Sequence, residues 1–203
     1  MAEAERGSIF VNCPFDDAYR PVFDAVVFAI TACGFRVASA LQVADSGELR
    51  LDKLYKLIAG ATHSIHDISR VEVDAGSGLP RFNMPIELGI ALGHRRYGSR
   101  RPQPRLLILD SERYRYQVFA SDLAGLDIAE HSADPDRAIG CVRDFLASDV
   151  RGLPTADYLV DLYRSFEAAL PTIAAGRRQT PDQLGFGDRI ALVEDFWAEN
   201  PLQ

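Results

Sequence analysis

The alternation of short β-rich runs with longer helical patterns, sustained from Ser8 to Asp110, restricts this chain more than any other feature. Ser8-Ile9-Phe10-Val11-Asn12-Cys13 reads as a strand and Pro14-Phe15-Asp16-Asp17 as the loop after it. From Tyr19 to Cys33 the apolar residues Val22, Phe23, Val26, Val27 and Ile30 recur at helical spacing. Gly34 then stops that helix, because a residue without Cβ enters the left-handed region at little cost. Phe35 to Leu41 resumes an extended pattern, Asp45-Ser46-Gly47-Glu48 turns the chain, and Leu51, Leu54, Tyr55, Leu57 and Ile58 mark a second helix. His63 to Ile68 follows as a third strand and Pro85 to Arg95 as a third helix. The unbroken apolar run Arg105 to Asp110 suits a strand covered on both faces, and Leu126 to Ile128 suits a short fifth strand.

Strands separated by helices pair in parallel through right-handed crossovers, with helices on both sides of one sheet. The expected fold is therefore α/β, a flavodoxin-like three-layer sandwich with a mostly parallel sheet of four or five strands plus C-terminal helices. In such sheets ligands bind beyond the carboxyl ends of the strands at a switch point, which places the loops after Val11, Leu41, Ile68 and Leu109 on one rim. From about Asp134 the pattern is helical, over Arg137 to Ala147, Ala156 to Ala169 and Asp188 to Glu199. The expected organisation is an α/β domain over 8–150 and a helical extension over 151–203. That extension packs on the domain, with a homodimer or larger homo-oligomer contact as its other use.

A formal charge of -7 over 203 residues argues against a broad duplex-DNA surface, which needs clustered Lys and Arg to displace counterions. The run His94-Arg95-Arg96-Tyr97-Gly98-Ser99-Arg100-Arg101 departs locally from this charge, and two readings stand. It is a helix end whose cations oppose the dipole's negative pole, or a contact for phosphate or a partner. Cys13, Cys33 and Cys141 show no CxxC spacing, so a reducing compartment is expected rather than a disulfide frame. No cleavable apolar segment is read at the start, and no run approaches the roughly 18 apolar residues of a membrane span. A cytoplasmic protein is expected, without membrane contact.

The chemistry concentrates between Ser64 and His94. Asp67 ends the third strand, where a carboxylate binds ligand hydroxyls or caps a turn with Ser69. With Pro85 at the first helical position, Glu87 falls in the first turn, where unpaired N–H groups would hold it ionised. An ionised, partly buried Glu suits attack on an anomeric carbon or stabilisation of an oxocarbenium-like centre, and a Glu at this position also suits a capping box. Asn83 orients Glu87 or a ribose hydroxyl, or else serves as a helix cap. Gly89 permits close approach to the helix. The loop from Arg70 to Phe82 has the composition of a lid; Arg81 in it would clamp a phosphate, or both Arg70 and Arg81 would pair with Glu72 and Asp74. Asp16 and Asp17 read as caps of the first helix, and His63 and His66, at i and i+3 of a strand, face opposite ways, so no metal site is expected. No GxGxxG, Walker or GxSxG element is present, which argues against dinucleotide redox, P-loop and α/β-hydrolase chemistry.

Taken together, Ile9-Phe10-Val11-Asn12-Cys13-Pro14-Phe15, His66-Asp67-Ile68-Ser69 and Asn83-Met84-Pro85-Ile86-Glu87-Leu88-Gly89-Ile90-Ala91 form an ordered set. That set resembles the nucleoside 2-deoxyribosyltransferase family and its relatives, the Toll/interleukin-1-receptor-like NAD-cleaving domains, over roughly residues 8 to 130. The resemblance implies Glu87 as the catalytic carboxylate, Asp67 as a ribose-hydroxyl binder and Cys13-Pro14-Phe15 as a wall against the base. Asn83, Met84 and Arg81 join them as substrate contacts. It implies cleavage of an N-glycosidic bond in a nucleotide or nucleoside, foremost the nicotinamide–ribose bond of NAD, with NAD as substrate and no cofactor. Deoxyribosyl transfer and nucleoside 5′-monophosphate hydrolysis remain open, as does a module that senses a nucleotide without turnover. Relatives of this kind serve as effectors in bacterial antiphage defence.

Overall fold

A computed structural model of the chain describes residues 6–40, 47–73, 76, 78–99 and 102–200. Its strands are β1 (Ser8–Asn12), β2 (Arg36–Ala38), β3 (His63–Asp67), β4 (Arg105–Asp110) and β5 (Ile128–Glu130). Its helices are α1 (Arg20–Ala32), α2 (Arg50–Gly60), α3 (Asn83–Tyr97), α4 (Tyr116–Phe119), α5 (Pro135–Leu146), α6 (Ala156–Gly176) and α7 (Phe186–Glu199). The strands form one parallel sheet in the order β2-β1-β3-β4-β5, the flavodoxin-like order anticipated from the alternation.

Alternation along each strand sorts residues between two layers. Ile9, Val11, Ile65, Leu107 and Leu109 face a core built with α1, α5, α6 and α7. Phe10, Ile68 and Ile108 face the other side, against Leu54 and Ile58 of α2, Leu88 and Ala91 of α3, and Tyr116 of α4. Phe28 on α1 is fully buried, with ring centroids 5.3 Å from Tyr163, 5.6 Å from Phe166, 5.9 Å from Phe196 and 4.9 Å from Trp197. The two C-terminal helices thus share α1's core and spend their large apolar residues on it.

Local chemistry sets the boundaries. After α1, Gly34 adopts φ +81°, Gly34 N–H bonds the Thr31 carbonyl at 2.9 Å and Phe35 N–H bonds that of Ile30 at 3.2 Å, a Schellman stop. Asp134 caps α5 by accepting from Asp136 N–H at 2.9 Å, with Pro135 in the first turn. His94, Arg95 and Arg96 occupy the last turn of α3, as the dipole reading requires. Several boundaries differ from expectation, those of α6, β5 and α3 among them. α6 runs through Pro171 to Gly176, because that proline lies on an exposed face where water serves the carbonyl left without its N–H. β5 starts two residues late, after the turn at Gly125. α3 starts at Asn83, with Phe82 as its cap residue, rather than at Pro85. Leu41, Asp45, Ser46, Asp74, Arg100 and Arg101 lie outside the described residues.

Replacing Phe28 by Ala is expected to cost about 3–5 kcal/mol, the range for deleting a buried aromatic ring. Urea unfolding followed by Trp197 fluorescence should show the loss as one lowered transition, because Trp197 belongs to the same core.

Candidate active site

In this strand order the crossovers diverge between β1 and β3, and the carboxyl ends of those strands open a crevice there. Asn12 closes β1 and Asp67 closes β3, with α3 beginning alongside. The Asn12 side-chain amide donates to the Met84 carbonyl at 3.0 Å and lies 3.1 Å from His66 Nδ1, which pins the start of α3 to both strands. Burial pushes the His66 imidazole down to about 3, so it stays neutral. Asn12 carries no local sequence motif; its role emerges only when 54 and 72 positions of sequence separation close.

Glu87 faces this crevice from the second turn of α3. Because the helix begins at Asn83, Glu87 is its fifth residue and the first turn holds no acid, so the expected stabilisation by first-turn N–H groups does not apply. Glu87 is 6 % exposed, and among the described residues its charged neighbour is Arg50, whose guanidinium lies 3.9 Å from Oε1. Burial pushes the carboxyl up to about 7 while Arg50 pulls it down, so the expectation of a firmly ionised group is corrected. Near neutrality this carboxyl exchanges its proton readily. Arg50, the first residue of α2 with a half-exposed side chain, escaped sequence reasoning because its helix is separated from α3 by β3 and a loop.

The Cys13 thiol, just beyond β1, is pushed well up by burial first and then by the negative charges of Asp67 and Glu87. A thiol so held stays protonated and is no nucleophile. Met84 is buried, Pro14 is buried, and Asn83 and Arg81 are exposed at the start of α3 and in the loop before it.

Asp67 is where the sequence placed it, at the end of β3, but it is 0 % exposed and both its oxygens are engaged. Oδ1 accepts from Ser69 N–H at 2.8 Å, and Oδ2 accepts from the Tyr19 hydroxyl at 2.6 Å. His131, just beyond β5, sets Nε2 2.9 Å from Oδ2, off the line of a straight hydrogen bond. Its Nδ1 accepts from Ala133 N–H at 3.0 Å, which leaves the proton of the neutral ring on Nε2, turned toward Asp67. The expected direct contact with a ribose hydroxyl is thus replaced by a positioning role: Asp67 ties β3, the region after β5 and the lead into α1 together.

Phe15 likewise turns away. Its ring packs edge-on against Phe186 at 5.5 Å and Phe23 at 6.5 Å, between α1 and α7, and so stands apart from the expected wall beside Glu87. In the loop after β3, Arg70 pairs with Asp16 at 3.2 Å, and Glu72 is held by Arg115 at 2.8 Å, so the pairing of Arg70 with Glu72 is not realised. Arg115 also reaches Asp110 Oδ1 at 2.6 Å and the Ile68 carbonyl at 3.1 Å, binding the ends of β3 and β4. Asp16 accepts from Tyr19 N–H at 3.0 Å in the turn before α1, but the helix itself starts at Arg20 without a side-chain cap, so the expected capping by Asp16 and Asp17 is not found. Among the described residues no cluster of three or more His, Cys, Asp or Glu is arranged to hold a metal, and no helix is long and apolar enough to cross a membrane.

Two cavities lie elsewhere, one of about 780 Å³ beside Cys33 and Trp197 and one of about 720 Å³ around Arg105, Glu130 and Cys141. Glu87 lines neither of them. No protein-family model and no curated protein matches the chain.

A carboxyl that binds its proton more tightly folded than unfolded favours the fold at low pH. Between pH 4.5 and about 7 the folded chain holds a proton that the unfolded chain has lost, so stability falls as pH rises through that window. Urea midpoints across it are expected to decline in the wild type relative to Glu87→Gln. Arg50→Gln should steepen the decline and extend it to higher pH.

Proposed function

We propose that the chain is an N-glycosidic-bond-cleaving enzyme acting on an N-ribosyl pyridinium, NAD foremost, with Glu87 as the catalytic carboxylate. The observation that carries this reading is Glu87 itself: a desolvated carboxyl on the helix beside the β1/β3 switch point, engaged among the described residues by one half-exposed arginine. Sugar hydrolases that must protonate a leaving oxygen deploy two carboxyl groups, one as acid and one as nucleophile or base. Here the second carboxylate of the crevice, Asp67, is sealed off and saturated with donors, so one group remains to meet substrate.

One carboxylate suffices when the leaving group is a pyridinium. The C1′–N bond breaks with its electron pair going to the ring nitrogen, which becomes neutral and needs no proton. The cationic sugar left behind is stabilised by ionised Glu87 at short range in a site of low polarity. Water then adds to C1′ and gives its proton to the carboxylate or to solvent. Arg50 must swing aside to admit substrate, and its half-exposed stem permits that motion. Asn12 and Asp67 act at a distance from the sugar, the first by fixing α3 and the second by fixing the strand ends. The resemblance to deoxyribosyltransferase and Toll/interleukin-1-receptor-like sequences supports the same assignment, and with it a role among bacterial antiphage effectors.

A second reading, a module that binds a nucleotide without turnover, draws on the burial of Glu87, which is 6 % exposed. Product analysis by chromatography separates the two. Incubation with NAD is expected to release nicotinamide, Glu87→Gln to lower the rate by about 10²-fold or more while retaining nucleotide binding, and deoxynucleoside monophosphates to react more slowly. Equal binding by both proteins with no base released from any nucleotide would establish the binding module instead.

A further inference from the structure

Between α1 and α7, on the side of the sheet away from α2 and α3, the chain forms a cavity of about 200 Å³. Phe15, Phe23 and Phe186 supply aromatic walls, Leu184 an apolar one, Arg20 and Arg189 cationic ones, each paired with a carboxylate of its own, and Asp16 an acidic one. The Phe23 and Phe186 rings lie 4.2 Å apart and Phe15 closes on Phe186 edge-first, so the walls are held by one another and not by a ligand. Arg189 is 9 % exposed; it pairs with Asp24 and donates to the Pro181 carbonyl at 3.0 Å, yet its buried Nε–H has no acceptor. The second oxygen of Asp24, behind it, has no donor either. A buried donor left unpaired carries a desolvation cost that folding normally avoids.

We propose that this cavity is a binding site for one planar heteroaromatic ring bearing a carbonyl acceptor, the chemistry shared by nicotinamide and the pyrimidine bases. Size sets the upper limit: drug-sized ligands occupy about 300 Å³ or more, so this cavity admits a single ring and excludes a whole nucleotide. Edge-to-face and offset contacts with three phenyl rings select a flat π-system, and the guanidinium groups of Arg20 and Arg189 favour a ring with an electron-rich acceptor. Leu184, Phe186 and Arg189 all lie beyond residue 130, in the helical extension, so the extension closes one side of the cavity and the segment around α1 the other. This site does not depend on the role assigned to Glu87.

The test is a ¹H–¹⁵N NMR titration following the Arg189 Nε–H and the Phe186 ring in the full chain. The probes are nicotinamide, uracil and, as a saturated control of similar size, cyclohexanecarboxamide. Nicotinamide or uracil is expected to give saturable shifts of both resonances at millimolar concentration or below, the range open to a ligand of about nine non-hydrogen atoms. Whichever of the two binds more tightly identifies the source of the ring. The saturated control should bind at least about tenfold more weakly, as loss of the aromatic contacts requires. Leu184→Trp, which fills the cavity, should abolish the shifts, and Glu87→Gln should leave them unchanged. Should the tryptophan variant fail to fold, Phe15→Ala, at a side chain 42 % exposed, removes one wall and should weaken binding at least about tenfold. Absence of saturable shifts with both aromatic probes, or their persistence in Leu184→Trp or undiminished in Phe15→Ala, overturns the proposal.

Discussion

The parallel pairing of β1 with β2 on one side and β3 on the other is the constraint on which the rest depends. It makes the chain cross to opposite faces of the sheet on successive connections, and the crevice between the carboxyl ends of β1 and β3 is what that divergence leaves open. The Asn12 amide then ties β1 to the first turn of α3 through the Met84 carbonyl, which sets where Glu87 stands. Glu87 is therefore placed by backbone topology and one side-chain clamp.

Two carboxylates close the crevice and the environment separates their duties. Asp67 accepts from Tyr19 and Ser69, with His131 Nε2 2.9 Å away, and ties the strand ends together. Glu87, almost as buried, has no such company among the described residues, so desolvation dominates and its proton leaves only near neutrality. A catalytic carboxyl needs that responsiveness, and a structural one needs the opposite. Arg50 opposes the desolvation of Glu87 from a half-exposed position.

The architecture was legible in the sequence because period-2 runs and period-3.6 patterns alternate, with clean punctuation at Gly34. The positions of Glu87 and Asp67 at the crevice were legible for the same reason, since strand ends and helix starts follow from pattern. Their electrostatics were not. Moving the start of α3 back from Pro85 to Asn83 took Glu87 out of the first turn, and burial, a tertiary property, reversed the expected direction of its proton affinity. Arg50, His131 and Tyr19 entered through contacts that span long stretches of chain, and no local motif announces such contacts. Phe15 sits in a loop the sequence tied to substrate, but the ring is claimed by Phe186 of the distant C-terminal helix, a partner visible only once the core has formed.

Everything assigned to the crevice rests on Glu87 being a desolvated carboxyl that holds its proton to near neutral pH. Carbon-13 NMR of glutamate side-chain carboxyls, titrated in the folded protein and assigned by loss of one resonance in Glu87→Gln, measures this directly. A midpoint near 7 for that resonance is the predicted result. A midpoint between about 4 and 5, the ordinary range of a solvated glutamate, would contradict it.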